Sequence, residues 1–599
     1  MLLFERTVSG PRIEGEREPM RRGFGVVVAA AGAALGMVLL QGVAPAAGPP
    51  TLTTPVQASK ADQDPGRLYS SPAFAIDPGN PHRVVAAYAD MRTRRCGLLR
   101  SVDGARTWTR LESSPGTASY PFCAQTQGGV IQAPVAFGGD GMLYMALNGW
   151  GNEEAARTGG AIMVARSANL GDSWDTVIVH TARGKTGDAA ENVRPVQSIA
   201  VQRRSGTDDV VYVTFALSRP NLTAPNAVPA SPMVAVSRDG GRTWSEQNLV
   251  GKLFEPQPIR EQAISAATTS TVPPGSTTTT STIPPPGSKA AEPNQAANFG
   301  AAGSRNGIVA RVDGEGTAYV LWPTGTANIS PSPPGGLALS KSTDGGKTWT
   351  TSLAIPFSYN NATGGPASAY PQLAVTQKGT LHIVYNRNPT PELAGASEVY
   401  HRASYDGGKT WTDPKALSDD DPKIYAGQYF PNLSVAPDGR VDVAWWDTRD
   451  TPGMRFNDVY STYSTDDGRT WSKNQRITDE SVDRRLGIWG LNYDIASQPG
   501  IASNNAYTIF GWDDTRNSDP SVKDNAYLGG GLQDVYTAEA QFEALGGGTP
   551  KTAKVILAAT VGILVVALFL VILALATRRR SGPPPRKASA KAGAAAKAT

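Results

Sequence analysis

One eight-residue pattern, Ser-x-Asp-x-Gly-x-Thr-Trp, recurs along this chain and restricts its fold more than any other feature. Copies stand at 101–108 (SVDGARTW), 237–244 (SRDGGRTW), 342–349 (STDGGKTW), 404–411 (SYDGGKTW) and 464–471 (STDDGRTW). The first copy carries Ala105 at its fifth position. A degenerate copy, SANLGDSW at 167–174, has Asn169 and Ser173 in place of the aspartate and threonine. Asp followed by Gly favours a tight turn with a residue at positive φ, and the carboxylate can hold that turn by accepting backbone N–H groups. The tryptophan adds a large ring that pins the turn to a sheet. Each octamer therefore predicts a hairpin clamp. Asp103, Asp239, Asp344, Asp406 and Asp466 read as structural, because equivalent copies suit architecture better than chemistry.

The same strand signals surround each octamer. Gln372-Leu-Ala-Val-Thr, Gly379-Thr-Leu-His-Ile-Val-Tyr and Glu398-Val-Tyr-His-Arg-Ala-Ser404 lead into one copy. Asn432-Leu-Ser-Val-Ala, Gly439-Arg-Val-Asp-Val-Ala-Trp and Asp458-Val-Tyr-Ser-Thr-Tyr-Ser464 lead into the next. Both series alternate as strands do, and a short strand after the octamer makes a fourth. A final unit without an octamer spans Gly500-Ile-Ala, Ala506-Tyr-Thr-Ile-Phe-Gly-Trp and Asp534-Val-Tyr-Thr-Ala-Glu-Ala. Its missing fourth strand is expected from the stretch near residues 62–70, which would close a ring. The fold class is all-β: a β-propeller over 62–545, seven-bladed on this count, with six blades as the alternative. Such rings hide most strand edges.

The octamer resembles the Asp box, or neuraminidase repeat, of the sialidase superfamily, and the resemblance covers most of residues 70–545. It implies a propeller with the boxes on one face and the active site on the other, among the loops joining second and third strands and those entering first strands. Three such loops carry Asp-x-Arg: Asp90-Met-Arg92, Asp447-Thr-Arg449 and Asp514-Thr-Arg516. They fall in units one, six and seven, which a closed ring makes neighbours. Three guanidinium forks suit a carboxylate. In the family an arginine triad holds the sialic acid carboxylate, so Arg92, Arg449 and Arg516 are expected to bind one, oriented by Asp90, Asp447 and Asp514. The pairs can equally brace their own loops or bridge adjacent blades.

The resemblance also implies a tyrosine nucleophile with a carboxylate base and a separate acid, unlike the two-carboxylate scheme of most glycosidases. Polar residues before first strands include Glu191, Arg194, Arg305, Tyr370, Tyr429, Tyr493 and Asp494. The expected catalytic set is Tyr493 with Asp494 and Glu191; Tyr370 and Tyr429, each close to a proline, read as strand-start packing. The Arg-Ile-Pro-type motif that usually opens the first blade of active sialidases is missing here, which keeps a glycan- or protein-binding propeller open beside an exo-sialidase-like hydrolase.

Two apolar runs flank the propeller. Residues 555–576 carry no charge, follow a glycine-rich stalk at 546–553 and precede Arg578, Arg579 and Arg580. At ~1.5 Å per residue the run can cross a bilayer, and the positive-inside rule leaves 578–599 cytoplasmic. Thus 554–577 is expected as one transmembrane helix. Arg21 and Arg22 precede a second run ending in Ala44-Pro-Ala-Ala47, so residues 1–47 read as a signal peptide or signal anchor. Both readings put the propeller outside the cell. There the chain's two cysteines, Cys96 and Cys123, are expected to pair.

A Thr/Pro-rich insertion at 264–296 reads as a disordered loop. The net charge of +4 sits largely in the tails, and no basic stripe interleaved with aromatics points to nucleic acid. Four histidines offer no zinc motif. Clustered carboxylates such as Asp419-Asp420-Asp421 could hold a structural calcium, although a solvated loop accounts for that run equally simply.

Overall fold

The structure is a computed structural model. It describes residues 49–61, 67–123, 133–150, 160–182, 192–193, 196–204, 206–218, 231–249, 307–324, 336–356, 371–387, 397–421, 426–451, 455–487, 498–518 and 532–542. The expected signal segment, Thr/Pro-rich insertion, stalk, transmembrane run and basic tail lie outside these residues. Among the described residues no helix is long and apolar enough to cross a membrane, and the only helical elements are the short 3-10 turns Ala58–Ala61 and Gly139–Gly141.

Seven antiparallel sheets form the seven blades. Their innermost strands are Tyr69–Ile76, Val135–Phe137, Ser198–Gln202, Val309–Val312, Gln372–Val375, Gln428–Val435 and Gly500–Ser503. Each innermost strand touches the next around the ring, and Gly500–Ser503 returns to Tyr69–Ile76. The second strands are close to completely buried, because both faces pack on neighbouring blades. Ala374, Val384 and Val399 of the fifth blade, for example, meet Leu433, Val441, Val443 and Trp445 of the sixth. Burying side chains of this size stabilises by roughly 1.5–3 kcal/mol each relative to exposure.

The closing strand differs from expectation. Thr51 pairs with Gln541 and Leu52 with Ala540, while Val56 and Gln57 pair with Thr537 and Tyr536. Residues 51–57 thus complete the seventh blade, whereas Tyr69 already begins the innermost strand of the first. Two two-residue pairings separated by a kink carry no alternation for sequence reading to find. Arg67 then fastens the seam, donating from Nε and Nη2 to the fully buried Asp534 at 2.5 and 3.0 Å. Ser59 and Asn517 donate to the same carboxylate.

Each box forms the expected clamp. In the fifth blade Asp406 Oδ1 accepts from the Lys409 and Thr410 amides at 3.0 and 2.9 Å, Oδ2 accepts the Thr410 hydroxyl, and Ser404 Oγ accepts the Gly408 amide at 2.8 Å. The fifth box position is left-handed throughout: Gly241 has φ 84°, Gly408 91° and Ala105 68°. In the degenerate copy Asn169 Oδ1 accepts the Ser173 amide and its Nδ2 donates to Ser173 Oγ at 2.9 Å, so an amide reproduces the turn. Cys96 and Cys123 form a disulfide. Closing a loop across their separation of 27 contributes about 3–4 kcal/mol in the chain-entropy picture.

Two outcomes follow. A protein starting at residue 62 lacks the closing strand and Ser59, so it melts well below one starting at residue 49, or aggregates through the open edge; differential scanning calorimetry on both checks this. The Thr410 hydroxyl and amide hold the Asp406 carboxyl down to about 2. Its folded value lies below its unfolded one, so its stabilisation is complete above about pH 4 and fades as pH falls toward 2. Asp406→Ala lowers the melting temperature at pH 7 by about 2–4 °C, whereas Asp406→Asn loses less and flattens the acid limb.

Candidate functional site

The boxes join third to fourth strands at one end of the first six blades, so the loops between second and third strands lie on the opposite face. Three second strands, Val84–Asp90, Val441–Asp447 and Tyr507–Asp514, end there on the aspartates singled out in the sequence. Each carboxylate caps its own loop: Asp90, Asp447 and Asp514 Oδ1 accept the amides of Arg92, Arg449 and Arg516 at 3.0, 2.8 and 2.8 Å. Buried indoles complete two of them, with Trp445 and Trp512 Nε1 donating to Asp447 and Asp514 at 2.9 and 2.8 Å. The tryptophans seen before these motifs in the sequence are therefore part of the same device.

The arginines face the protein's own acids. Arg449 Nη2 lies 2.7 Å from Asp447, and its Nη1 lies 2.8 Å from Asp419 in the segment leaving the fifth blade. The guanidinium also stacks on Tyr460 at 4.3 Å and donates to Ser418 and Asn474. Arg516 repeats this one blade on: Asp514 and Asp479 at 2.8 Å each, Glu480 at 3.5 Å, and Tyr536 beneath the guanidinium at 4.1 Å. Burial opposes these charges, but the flanking carboxylates outweigh it and raise both guanidinium pKa values. Arg92 reaches back to Asp90 Oδ2 at 3.3 Å. Arg449 thus spans the seam between the fifth and sixth blades, and Arg516 that between the sixth and seventh. Each is desolvated and charge-matched, the condition under which such a pair is costly to break.

Tyr493, Asp494 and Glu191 lie outside the described residues, as do Arg194, Arg305 and Tyr370. Tyr429 is described. Its hydroxyl donates to Asn457 Oδ1, and Arg484 stands 5.5 Å above its ring. It enters a bulge at which buried Phe430 takes φ 52° before Pro431, matched in the first blade by Ser71 at φ 59° before Pro72. Left-handed non-glycine backbone of this kind is strained and held by its surroundings. At the first-blade bulge Asp513, adjacent in sequence to Asp514, accepts from Ser70 Oγ, the Ser71 amide and Gln533 Nε2. Strand alternation sends neighbouring aspartates to opposite faces, which was the available signal for this second role.

Glu398 was missed by the sequence reading. It opens the third strand of the fifth blade on the loop face, and its Oε1 accepts the Val399 and Ser418 amides at 2.8 and 3.3 Å. Burial, reinforced by Asp420 and Asp447, pushes its carboxyl up to about 7 despite those amides. It therefore changes charge near neutrality. Of the acidic run, Asp419 is spent on Arg449 and the Asn474 amide, while Asp420 is held by Ser418 and Gln428. Among the described residues no group of three or more His, Cys, Asp or Glu could hold a metal. The buried pair His382 and His401, 3.1 Å apart, has burial driving His382 down to about 4, so both rings are neutral at pH 7.

No family model matches the chain. Part of it is 31% identical over 203 residues to a probable oligoxyloglucan-reducing end-specific xyloglucanase of Neosartorya fischeri, covering 30% of this chain and 23% of that protein. Over 117 residues the chain is also 34% identical to an exo-alpha-sialidase of Aspergillus fumigatus, covering 17% of this chain and 27% of that protein. The chain thus spans about a quarter of the length of the curated relatives it matches. Among solved structures, a Trypanosoma rangeli sialidase in complex with sialic acid aligns over 72% of this chain and 58% of that one, at 11% identity and a TM-score of 0.38.

Because Glu398's folded pKa is raised above its unfolded value, its ionisation destabilises the fold as pH climbs from about 4.5 through 7. Glu398→Gln should therefore raise the melting temperature by about 2–4 °C at pH 8 and leave it unchanged at pH 5. A gain of equal size at both pH values would contradict the assignment.

Proposed function

We propose that this chain, an Asp-box propeller of the sialidase-like superfamily, acts on glycans outside the cytoplasm while tethered by residues 554–577, and removes terminal acidic sugars. What carries the reading is the partial sequence similarity of this chain to a probable xyloglucanase and an exo-alpha-sialidase. The loop face, opposite the boxes, is the proposed site.

In this proposal Tyr493 is the nucleophile, with one of Asp494 and Glu191 taking its proton. The other carboxyl protonates the departing glycosidic oxygen as the anomeric bond breaks. A glycosyl–tyrosine forms, and water then releases the sugar as the tyrosine is regenerated. Arg92, Arg449 and Arg516 would hold the sugar's carboxylate, exchanging acids of the protein for an acid of the ligand. The engagement of Arg449 by Asp419 and of Arg516 by Asp479 favours a second reading. There the arginines are blade braces, and the propeller binds glycans without cleaving them.

The discriminating experiment incubates the purified protein with a fluorogenic sialoside, beside Tyr493→Phe, Arg449→Ala and Arg516→Ala, with a melting curve for each. Hydrolysis predicts turnover that falls at least ~10²-fold in Tyr493→Phe at an unchanged melting temperature. If the arginines grip substrate, their variants lose turnover without melting earlier; if they brace blades, melting falls first. No turnover of sialosides or other glycosides overturns the hydrolase reading and leaves the binding one.

A further inference from the structure

The repeat makes every blade a control for the others, and one inner position breaks the pattern. In each box-bearing blade the box serine lies opposite an early residue of the second strand, for example Ser342 opposite Ala318 and Ser404 opposite Leu381. The next residue of that strand pairs with one residue of the innermost strand. That partner is Ala75, Ala136, Ala200, Ala374 and Ser434 in the first, second, third, fifth and sixth blades. Ser503 holds the corresponding place in the seventh. In the fourth blade it is Arg311, opposite Tyr319.

A guanidinium therefore occupies, beside the central axis and toward the box face, a position where every other blade keeps a small side chain. Its side chain is half-buried, and its hydrogen bond runs from Nη1 to the carbonyl of Ala310 at 2.8 Å. Asp313, two residues on, is occupied by its own turn: it accepts the Glu315 and Thr317 amides at 3.0 and 2.8 Å and the Tyr319 hydroxyl. Burial alone pulls the Arg311 guanidinium down, to about 10, so it stays charged at neutral pH, and among the described residues no carboxylate offsets its desolvation. A partly desolvated cation without an anion is unfavourable, and the alanine found at this position in four other blades would avoid that cost. In the adjacent turn of the third blade the two acids are engaged elsewhere, Asp208 by Arg242 and Asp209 by the Gly139 and Arg204 amides.

We propose that Arg311 is the centre of a binding site for a small oxyanion, a phosphate or a carboxylate group, at the box-face end of the innermost strand of the fourth blade. The planar fork suits two oxygens of one such group. This site is separate from the glycan-acting face and does not depend on that assignment.

The test melts the full-length protein and Arg311→Ala in a low-salt zwitterionic buffer, then titrates sodium phosphate or sodium acetate. Alanine at the matching position of four other blades makes the variant's folding expected. The proposal predicts that one or both anions raise the wild-type melting temperature saturably by about 2–4 °C beyond their effect on Arg311→Ala. It also predicts that, before any anion is added, Arg311→Ala melts no lower than wild type. Arg311→Lys, which keeps the charge and loses the fork, should retain a weaker response. Parallel responses in wild type and Arg311→Ala, or an Arg311→Ala that melts lower in the anion-free buffer, would overturn the site.

Discussion

The ring holds because a strand from the beginning of the propeller pairs with the strand at its end. Thr51 and Gln541 are neighbours in one sheet although nearly the whole propeller lies between them in sequence. Without that pairing the seventh blade would expose the edge of Asp534–Gln541, and the inter-blade cores would have one open side. Arg67, Ser59 and Asn517 converge on Asp534 at the same seam, so a buried carboxylate supports the backbone ladder. Loop closure of this length costs only slowly more entropy than a short one, which lets so distant a latch work.

With closure secured, the boxes can be read as devices that fix one end of each of the six blades that carry them. Their carboxylates have accepted backbone and hydroxyl donors and are poor candidates for chemistry. The same logic extends to the other face, where Asp447 and Asp514 are consumed by indole, amide and guanidinium donors. What distinguishes that face is a set of charge pairs crossing blade seams. On the same face burial keeps Glu398 protonatable near neutrality.

Much of this architecture was legible in the sequence because it repeats. Seven strand series and the box turns follow from alternation and turn chemistry, and even Asn169 could be placed by its offset within the octamer. The closing strand was not legible, since Thr51–Leu52 and Val56–Gln57 are too short to show a period. The fate of the three arginines was not legible either. Their loops could be placed on one face, but their partners Asp419 and Asp479 lie some thirty residues or more away in the chain, and no local pattern encodes such a contact. Glu398 escaped for the same reason: an ordinary strand-opening glutamate becomes unusual only through the neighbours that bury it. Arg311 was visible as a letter, but its oddity emerges only when strand register aligns the blades.

The antiparallel match of Thr51 with Gln541 has a consequence for posture. Because third strands run toward the box face, the propeller's last strand leaves the ring there, and its partner must arrive there too. Both ends of the domain therefore hang from the same rim, like the two cords of a lantern.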